Sequence, residues 1–188
     1  MRIIAGRWGS RPLAAPAGRG TRPITDRIKQ GLFDWLGQDL AGVAMADICA
    51  GSGAIAFEAA SRGAAPVHAI ESDPAALAVL RANHAALSAG AAVVIHARPF
   101  AAVLPGLRDL DLAICDPPFP WYREAPEQLA AMLALAAAAL RPGGSLLVRG
   151  DAGTDLPALA GGLREHERRT WGRSWIAWLR TADHQPGA

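Results

Sequence analysis

The rhythm of apolar and polar positions changes at Val43. Before it, Ile28, Leu32, Trp35 and Leu36 recur at the spacing of one helical face; Thr25 stands ahead of them as an N-cap and Gly37 behind as a stop, which predicts a helix ending at Leu36. Residues 1–24, rich in Gly, Pro and Arg, predict an appendage with one short strand at Arg2–Ala5 and turns at Gly9-Ser10 and Gly18–Gly20. From Val43 onward short apolar runs alternate with helical stretches. Strands are expected at Val43–Cys49, Val67–Ile70, Val93–His96, Leu112–Cys115 and Ser145–Val148, with helices at Gly53–Arg62, Pro74–Ser88, Phe100–Leu107 and Glu124–Leu140 between them. Asp73-Pro74 marks the second of these helices, with aspartate at the N-cap and proline at the first helical position, and Arg141-Pro142-Gly143-Gly144 breaks the last. Leu163–Trp171 and Ser174–Arg180, joined at Gly172-Arg173, read as an antiparallel hairpin that closes a sheet. The pattern is α/β: a mostly parallel sheet with helices on both faces.

Composition narrows the class. With 188 residues, 51% hydrophobic and 19% charged, the chain suits one globular domain, here 25–188, carrying the short basic segment 1–24 as an arm. No apolar run is long enough to span a bilayer, and the alanine-rich Ala130–Leu140 reads as helix. The arginines near the start precede no apolar signal core, so a cytoplasmic protein is expected. Two cysteines, Cys49 and Cys115, are too few for a metal centre and read as small buried residues; no metal is expected. The net charge of +2 hides an asymmetry. Residues 1–30 hold Arg2, Arg7, Arg11, Arg19, Arg22, Arg27 and Lys29 against Asp26 alone, leaving an acidic remainder. A basic arm on an acidic body suits a polyanion, because arginines that neutralise phosphates release condensed counterions.

Immediately after the first strand, Ala50-Gly51-Ser52-Gly53-Ala54-Ile55-Ala56 fits the nucleotide-binding pattern G-x-G-x-x-A, in which glycines permit a sharp turn and close approach of a cofactor to bare backbone. Glu71 follows Gly51 by 20 positions, at the end of the second strand, where a carboxylate accepts hydrogen bonds from ribose hydroxyls. Loop and acid together indicate a cofactor bearing a nucleoside; nicotinamide-dependent dehydrogenases share both. Asp47, ionisable within an apolar strand, requires a partner. The methionyl ammonium of S-adenosylmethionine, reached directly or through water, suits it.

Asp116-Pro117-Pro118-Phe119 ends the fourth strand, where ligands bind in open parallel sheets. Two prolines fix the backbone and remove two amide donors, leaving a surface of acceptors. An exocyclic amine on a base is a poor nucleophile because its lone pair is delocalised into the ring. If the Asp116 carboxylate and the Pro117 carbonyl each accept one amine hydrogen, the lone pair turns toward an electrophilic methyl, and the protein contributes position and charge stabilisation. Phe119 would stack on the base once it leaves its helix.

These motifs together resemble the bacterial RsmD family, which methylates the 2-amino group of a guanine in small-subunit ribosomal RNA. The likeness runs nearly end to end: Arg2-Ile3-Ile4-Ala5-Gly6, Arg22-Pro23-Ile24-Thr25-Asp26-Arg27, Leu32-Phe33-Asp34-Trp35-Leu36, Asp47 with Ala50–Ala54, Glu58-Ala59, Ser61-Arg62-Gly63-Ala64, Glu71 and Asp116–Phe119. The resemblance implies a Rossmann-like class I methyltransferase fold with a seven-stranded sheet, S-adenosylmethionine as methyl donor, and small-subunit ribosomal RNA or an assembling small subunit as partner of a monomer. It implies a cofactor pocket of Asp47, Ala50, Gly51, Ser52, Gly53, Glu71, Ser72, His96 and Ala97, a catalytic Asp116, Pro117, Pro118 and Phe119, and RNA contacts from Arg7, Arg11, Arg19, Arg22 and Arg27, with the final hairpin also gripping RNA. Three positions depart from the family pattern. His96-Ala97 stands where an acidic or amide residue commonly meets the adenine amino group, Arg149 where the fifth strand usually ends in glutamate, and Gln30-Gly31 where glutamate and a small-to-polar residue are expected, Gly31 costing about 1 kcal/mol of helix propensity. His96 by itself reads more readily as a strand-end histidine bonded to backbone than as a ligand or base, and Trp171, Trp175 and Trp178 more readily as packing residues than as RNA stackers.

Two rival readings remain. A DNA adenine or cytosine amino-methyltransferase would use the same Asp-Pro-Pro-Phe chemistry, but the chain has no room for a target-recognition domain. An RNA-binding assembly factor that has lost catalysis would accommodate His96 and Arg149.

Overall fold

The predicted caps set the first elements. In a computed structural model that describes residues 1–15, 24–159 and 162–181, Thr25 accepts from the Ile28 amide at 3.3 Å to open α1 (Asp26–Leu36), and Gly37, at φ +105°, closes it. The chain divides into two compact units, Met1–Pro99 and Phe100–Ala188.

The first unit continues with β1 (Met45–Ile48), α2 (Ala54–Ser61), β2 (Val67–Glu71), α3 (Pro74–Ala86) and β3 (Val93–Ala97). Its strands lie in the order β3-β2-β1, all parallel, with Ile48 beside Ile70 and Glu71 beside Ala97. Every residue of β1 is buried, as expected of a parallel strand covered on both faces. Every residue of α2 is buried too, and its alanines let the helix lie close to the sheet. On α3 only Ala76, Leu77, Leu80 and Asn83 turn inward, a single helical stripe, and Asp73 caps it by accepting from Ala76 N at 2.8 Å.

The strand expected at Arg2–Ala5 does not form. Arg2 and Pro12 make one isolated antiparallel bridge, while the Ile4 and Ala5 amides donate to the Glu58 carboxylate at 2.7 and 3.0 Å instead of to a neighbouring strand. Glu58 also meets Lys29 Nζ at 3.0 Å and Arg62 at 2.9 Å, and all three side chains are withdrawn from water, Lys29 being 0% exposed. Lys29 also donates to Arg2 O, and burial lowers its pKa from the usual lysine value. Ser61 holds the same segment, accepting from Trp8 N at 2.9 Å and donating to Ala5 O at 2.6 Å. Gly6 sits at φ +78° so close to Ser61 that a Cβ there would lie 1.9 Å from its carbonyl oxygen.

The second unit comprises α4 (Phe100–Val103), β4 (Leu110–Cys115), α5 (Trp121–Glu124), α6 (Pro126–Ala139), β5 (Leu140–Asp151), β6 (Leu163–Trp171) and β7 (Ser174–Thr181). Its strand order is β4-β5-β7-β6, with β4 and β5 parallel and the other pairs antiparallel. The helix expected at Glu124–Leu140 forms as α6 but starts two residues later: Pro126 takes its first position and Ala125 leaves the helical region at φ −144°, as residues before proline do, which separates it from the short α5. The helix expected at Phe100–Leu107 ends at Val103, and Leu104–Gly106, with Pro105, form a tighter single turn. Conversely, β5 extends past the predicted Ser145–Val148. The Arg141–Gly144 break bulges out between the Leu110–Leu140 and Leu112–Ser145 pairs, and Gly144 fits because a Cβ would come within 3.0 Å of Leu110 O. The predicted hairpin forms at Gly172-Arg173, with Gly172 at φ +60° and Trp171 beside Ser174. Of its tryptophans, Trp175 is buried over Gly150, and Trp171 and Trp178 are half-buried. Among the described residues no helix is long and apolar enough to cross a membrane.

Glu58→Ala, which leaves two buried cations without their counter-charge, is expected to cost about 3–5 kcal/mol in denaturant unfolding. Lys29→Met, which leaves Glu58 with Arg62 and two amides, is expected to cost less.

Candidate active site

In the first unit, the turn after β1 is built on left-handed backbone: Cys49, Gly51 and Gly53 have φ of +64°, +57° and +79°. The two glycines differ in purpose. A Cβ at Gly53 would lie 2.5 Å from both Leu80 and Phe57, so that position serves packing of α2 and α3; a Cβ at Gly51 would meet nothing within 4 Å, so bare backbone there faces open space. Glu71 holds the turn. One carboxylate oxygen accepts from Gly51 N at 2.8 Å, and the other from Ser72 N and Asp73 N at 2.7 and 2.8 Å. With four acceptor sites and a half-exposed side chain, Glu71 retains capacity for hydroxyl donors. Open space over Gly51 beside an acceptor carboxylate fits the nucleoside of S-adenosylmethionine.

Asp47 is buried, and one of its oxygens accepts from Ala56 N at 2.9 Å in the first turn of α2, a site that favours negative charge. Ala50 and Ser52 are buried within the turn, while Ser72 and Ala97 are exposed at the ends of β2 and β3. Asn83, which the sequence did not single out, clamps the turn: its amide nitrogen donates to Ser52 O and Ala14 O, each at 3.0 Å, and its oxygen accepts from Ala14 N at 2.9 Å. His96 has a partner that was equally unforeseen. Its Nε2 lies 2.9 Å from His68 Nδ1, with one ring donating and the other accepting. Burial lowers the pKa of both rings; the neighbouring His96 adds to this at His68, and Arg98 at His96.

In the second unit, Asp116 follows β4 with its carboxylate 19% exposed. The acceptor surface expected from the two prolines is smaller than foreseen, since Pro118 O and Phe119 O accept from Trp121 N and Tyr122 N at 2.9 and 3.3 Å as α5 begins. Arg149 stands beside Asp116, because Val148 pairs with Cys115 and each strand then advances by one residue. Arg149 Nη1 spans both carboxylate oxygens at 3.1 and 2.9 Å, and the guanidinium lies 5.1 Å from the centre of the Phe119 ring. Its other terminal nitrogen donates to Ser174 Oγ at 3.4 Å, and the Tyr122 hydroxyl donates to Arg149 O at 2.7 Å. Burial raises the Asp116 carboxyl above its usual value, and Arg149 opposes that. Tyr122, buried edge-on to Trp175 at 5.6 Å, has its phenol pushed up by the same cause. The signal for Arg149 was present as a cation ending the apolar run Leu146-Leu147-Val148; its partner was not.

Of the arginines expected on RNA, Arg7, Arg11 and Arg27 are exposed, Arg7 stacking over Trp8 at 4.0 Å and Arg11 donating to Ala86 O at 2.5 Å. Arg19 and Arg22 lie outside the described residues. Among the described residues no cluster suited to a metal ion occurs.

The model of a family described as conserved hypothetical protein 95 matches residues 1–180. The chain belongs to this family. The RsmD resemblance is thereby borne out. The chain is 39% identical over 119 residues to the ribosomal RNA small subunit methyltransferase D of Escherichia coli, an alignment covering 63% of this chain and 60% of that protein. It is 30% identical over 186 residues to the putative rRNA methyltransferase YlbH of Bacillus subtilis, covering 94% of this chain and 97% of that one. Among solved structures, the putative methyltransferase yhhF of Escherichia coli superposes with a TM-score of 0.79 at 29% identity over 97% of this chain and 99% of that one. The fold is that of a Rossmann-like class I methyltransferase, with seven strands, mostly parallel and ending in the antiparallel hairpin.

The unequal roles of the glycines are testable by unfolding and by cofactor titration. Gly51→Ala should lose roughly 1–2 kcal/mol of stability, the cost of left-handed backbone alone, and weaken cofactor binding. Gly53→Ala should lose a further 1–3 kcal/mol or so through overlap with Leu80 and Phe57.

Proposed function

We propose that this chain is an S-adenosylmethionine-dependent RNA methyltransferase that transfers a methyl group to the exocyclic 2-amino group of a guanine in small-subunit ribosomal RNA. The observation that carries the reading is the Asp116 carboxylate on the rigid Pro117-Pro118 turn at the end of β4. Membership of the family and the names of the Escherichia coli and Bacillus subtilis relatives support ribosomal RNA as the substrate class.

When bound, S-adenosylmethionine supplies a methyl group already activated on a sulfonium. The chain's own contribution is binding and placement. Glu71 accepts from the ribose hydroxyls, and Gly51, with Ala50, Ser52 and Gly53, offers bare backbone to the cofactor. Asp47 presents negative charge near the amino-acid end, and Ser72, His96 and Ala97 border the adenine. Asp116 and Pro117 O each accept one hydrogen of the guanine amine, which turns the nitrogen lone pair out of conjugation. As the amine nitrogen takes the methyl group, the Asp116 carboxylate would stabilise the positive charge developing on it and pass the proton it sheds to solvent. Phe119 stacks on the extruded base, with Pro118 holding that turn. Arg7, Arg11, Arg19, Arg22 and Arg27 neutralise RNA phosphates. The proposed setting is cytoplasmic, with a monomer acting on ribosomal RNA or an assembling small subunit.

The test is transfer of tritiated methyl from S-adenosylmethionine to small subunits isolated from cells lacking the gene, followed by mass-spectrometric mapping of the modified nucleotide. Asp116→Asn should lower transfer by roughly 100-fold or more while cofactor affinity holds. Glu71→Ala should weaken cofactor affinity by about tenfold, near 1.4 kcal/mol. Undiminished transfer by Asp116→Asn would sink the assigned role. The Asp116–Arg149 pair also suits a second reading, an RNA-binding assembly factor without catalysis; calorimetry showing no S-adenosylmethionine binding would favour it.

A further inference from the structure

We propose that Arg149 is a positioning residue for the methyl-acceptor side: its guanidinium fixes the Asp116 carboxylate and the Phe119 ring in one arrangement. The inference rests on the reading of Asp116 as the carboxylate that meets the acceptor amine.

The backbone dictates the encounter. Arg149 is flanked by strands on both sides, following the Val148–Cys115 pair with β4 and sitting opposite Ile176 of β7, so it cannot drift relative to Asp116. Its side chain is 5% exposed, and a guanidinium does not shed its proton, so a counter-charge beside it is obligatory. Asp116 supplies that charge through one nitrogen spanning both oxygens. This takes up one edge of the carboxylate and leaves its remaining lone pairs for a donor from another direction. The same guanidinium lies over Phe119, so the group that orients the acceptor carboxylate also braces the ring proposed to stack on the base. Ser174 Oγ and the Tyr122 hydroxyl, the latter bonding to Arg149 O, hold the arginine from β7 and α5.

Charge follows geometry. Burial favours the neutral acid at Asp116 and Arg149 favours the carboxylate. Of the other groups packed around it, the Tyr122 phenol on α5 is pushed up by burial and is neutral near pH 7, the Cys115 side chain ending β4 is buried, and Arg168 of β6 stacks over Trp175. Removing Arg149 therefore leaves desolvation unopposed. The Asp116 pKa must rise, and the fraction ionised at a given pH must fall.

The experiment compares wild type with Arg149→Met and Arg149→Lys in two measurements. Carbon-13 NMR of labelled aspartate follows the Asp116 carboxyl through a pH titration, assigned by its loss in Asp116→Asn. In Arg149→Met its midpoint should move up by about one pH unit or more, and Arg149→Lys, which keeps the charge, should restore most of that shift. Methyl-transfer profiles on small subunits should move their acid limb upward in parallel, with kcat reduced in Arg149→Met and KM for S-adenosylmethionine unchanged. An Asp116 titration that stays in place in folded Arg149→Met overturns the proposal. If the titration shifts but wild type transfers no methyl group to any RNA, the positioning role stands and the methyltransferase reading fails.

Discussion

The first unit is organised around the Glu58 carboxylate. From the middle of α2 it accepts the Ile4 and Ala5 amides, faces Lys29 of α1, and is bonded by Arg62 one turn further on. A charge withdrawn from water would ordinarily oppose folding. Here desolvation is offset because each carboxylate oxygen meets a cation and a backbone amide together. Arg62 is in turn stacked on the Phe33 ring of α1 at 4.8 Å, so polar and apolar contacts fasten the same helix. The result is directional in a way that apolar packing is not, because three segments distant in sequence meet at the two oxygens of one carboxylate.

The fastening reaches the glycine turn. Ser61 holds residues 5–8 against the end of α2, and Asn83 binds Ala14 on one side and Ser52 on the other. The opening segment, which the sequence suggests is an arm, is therefore continuous by hydrogen bonds with the turn proposed to carry the cofactor. Its charge is also more divided than the sequence count implies. Lys29 is consumed internally and Arg2 lies 3.8 Å from Asp26, whereas Arg7, Arg11 and Arg27 present their charge at the surface. Among the described residues of this segment, these three are the ones placed to meet a phosphate backbone.

What was legible in the sequence was local. The Thr25 and Asp73 caps, the Gly37 stop, the Gly172-Arg173 hairpin turn and the apolar strand runs each depend on residues a few positions apart, and each formed. Errors came where one residue's chemistry overruled a local pattern, as Pro126 did in delaying the start of a helix and the Glu58 carboxylate did in drawing two amides away from a strand. The candidate loops were also legible, because glycine and proline announce their backbone needs. Their side-chain partners were not. Glu58 with Lys29, His68 with His96, and Asp116 with Arg149 are set by strand register and helix packing across long separations, and no spacing rule encodes them.

This explains why Arg149 reads as an anomaly in sequence and as a component in structure. An isolated arginine ending an apolar strand, where the family usually has glutamate, looks like an intrusion. Placed by register beside Asp116, it gives a half-buried carboxylate a counter-charge on one edge, in contrast to Glu58, whose oxygens are committed to cations and amides on both sides. Glu58 is saturated and therefore structural. Asp116 is held by one nitrogen, partly exposed and followed by prolines that donate nothing, so it is fixed and still able to accept. A carboxylate in that condition is suited to receive an amine hydrogen, and the arginine that makes it so belongs to the same strand pair that carries it.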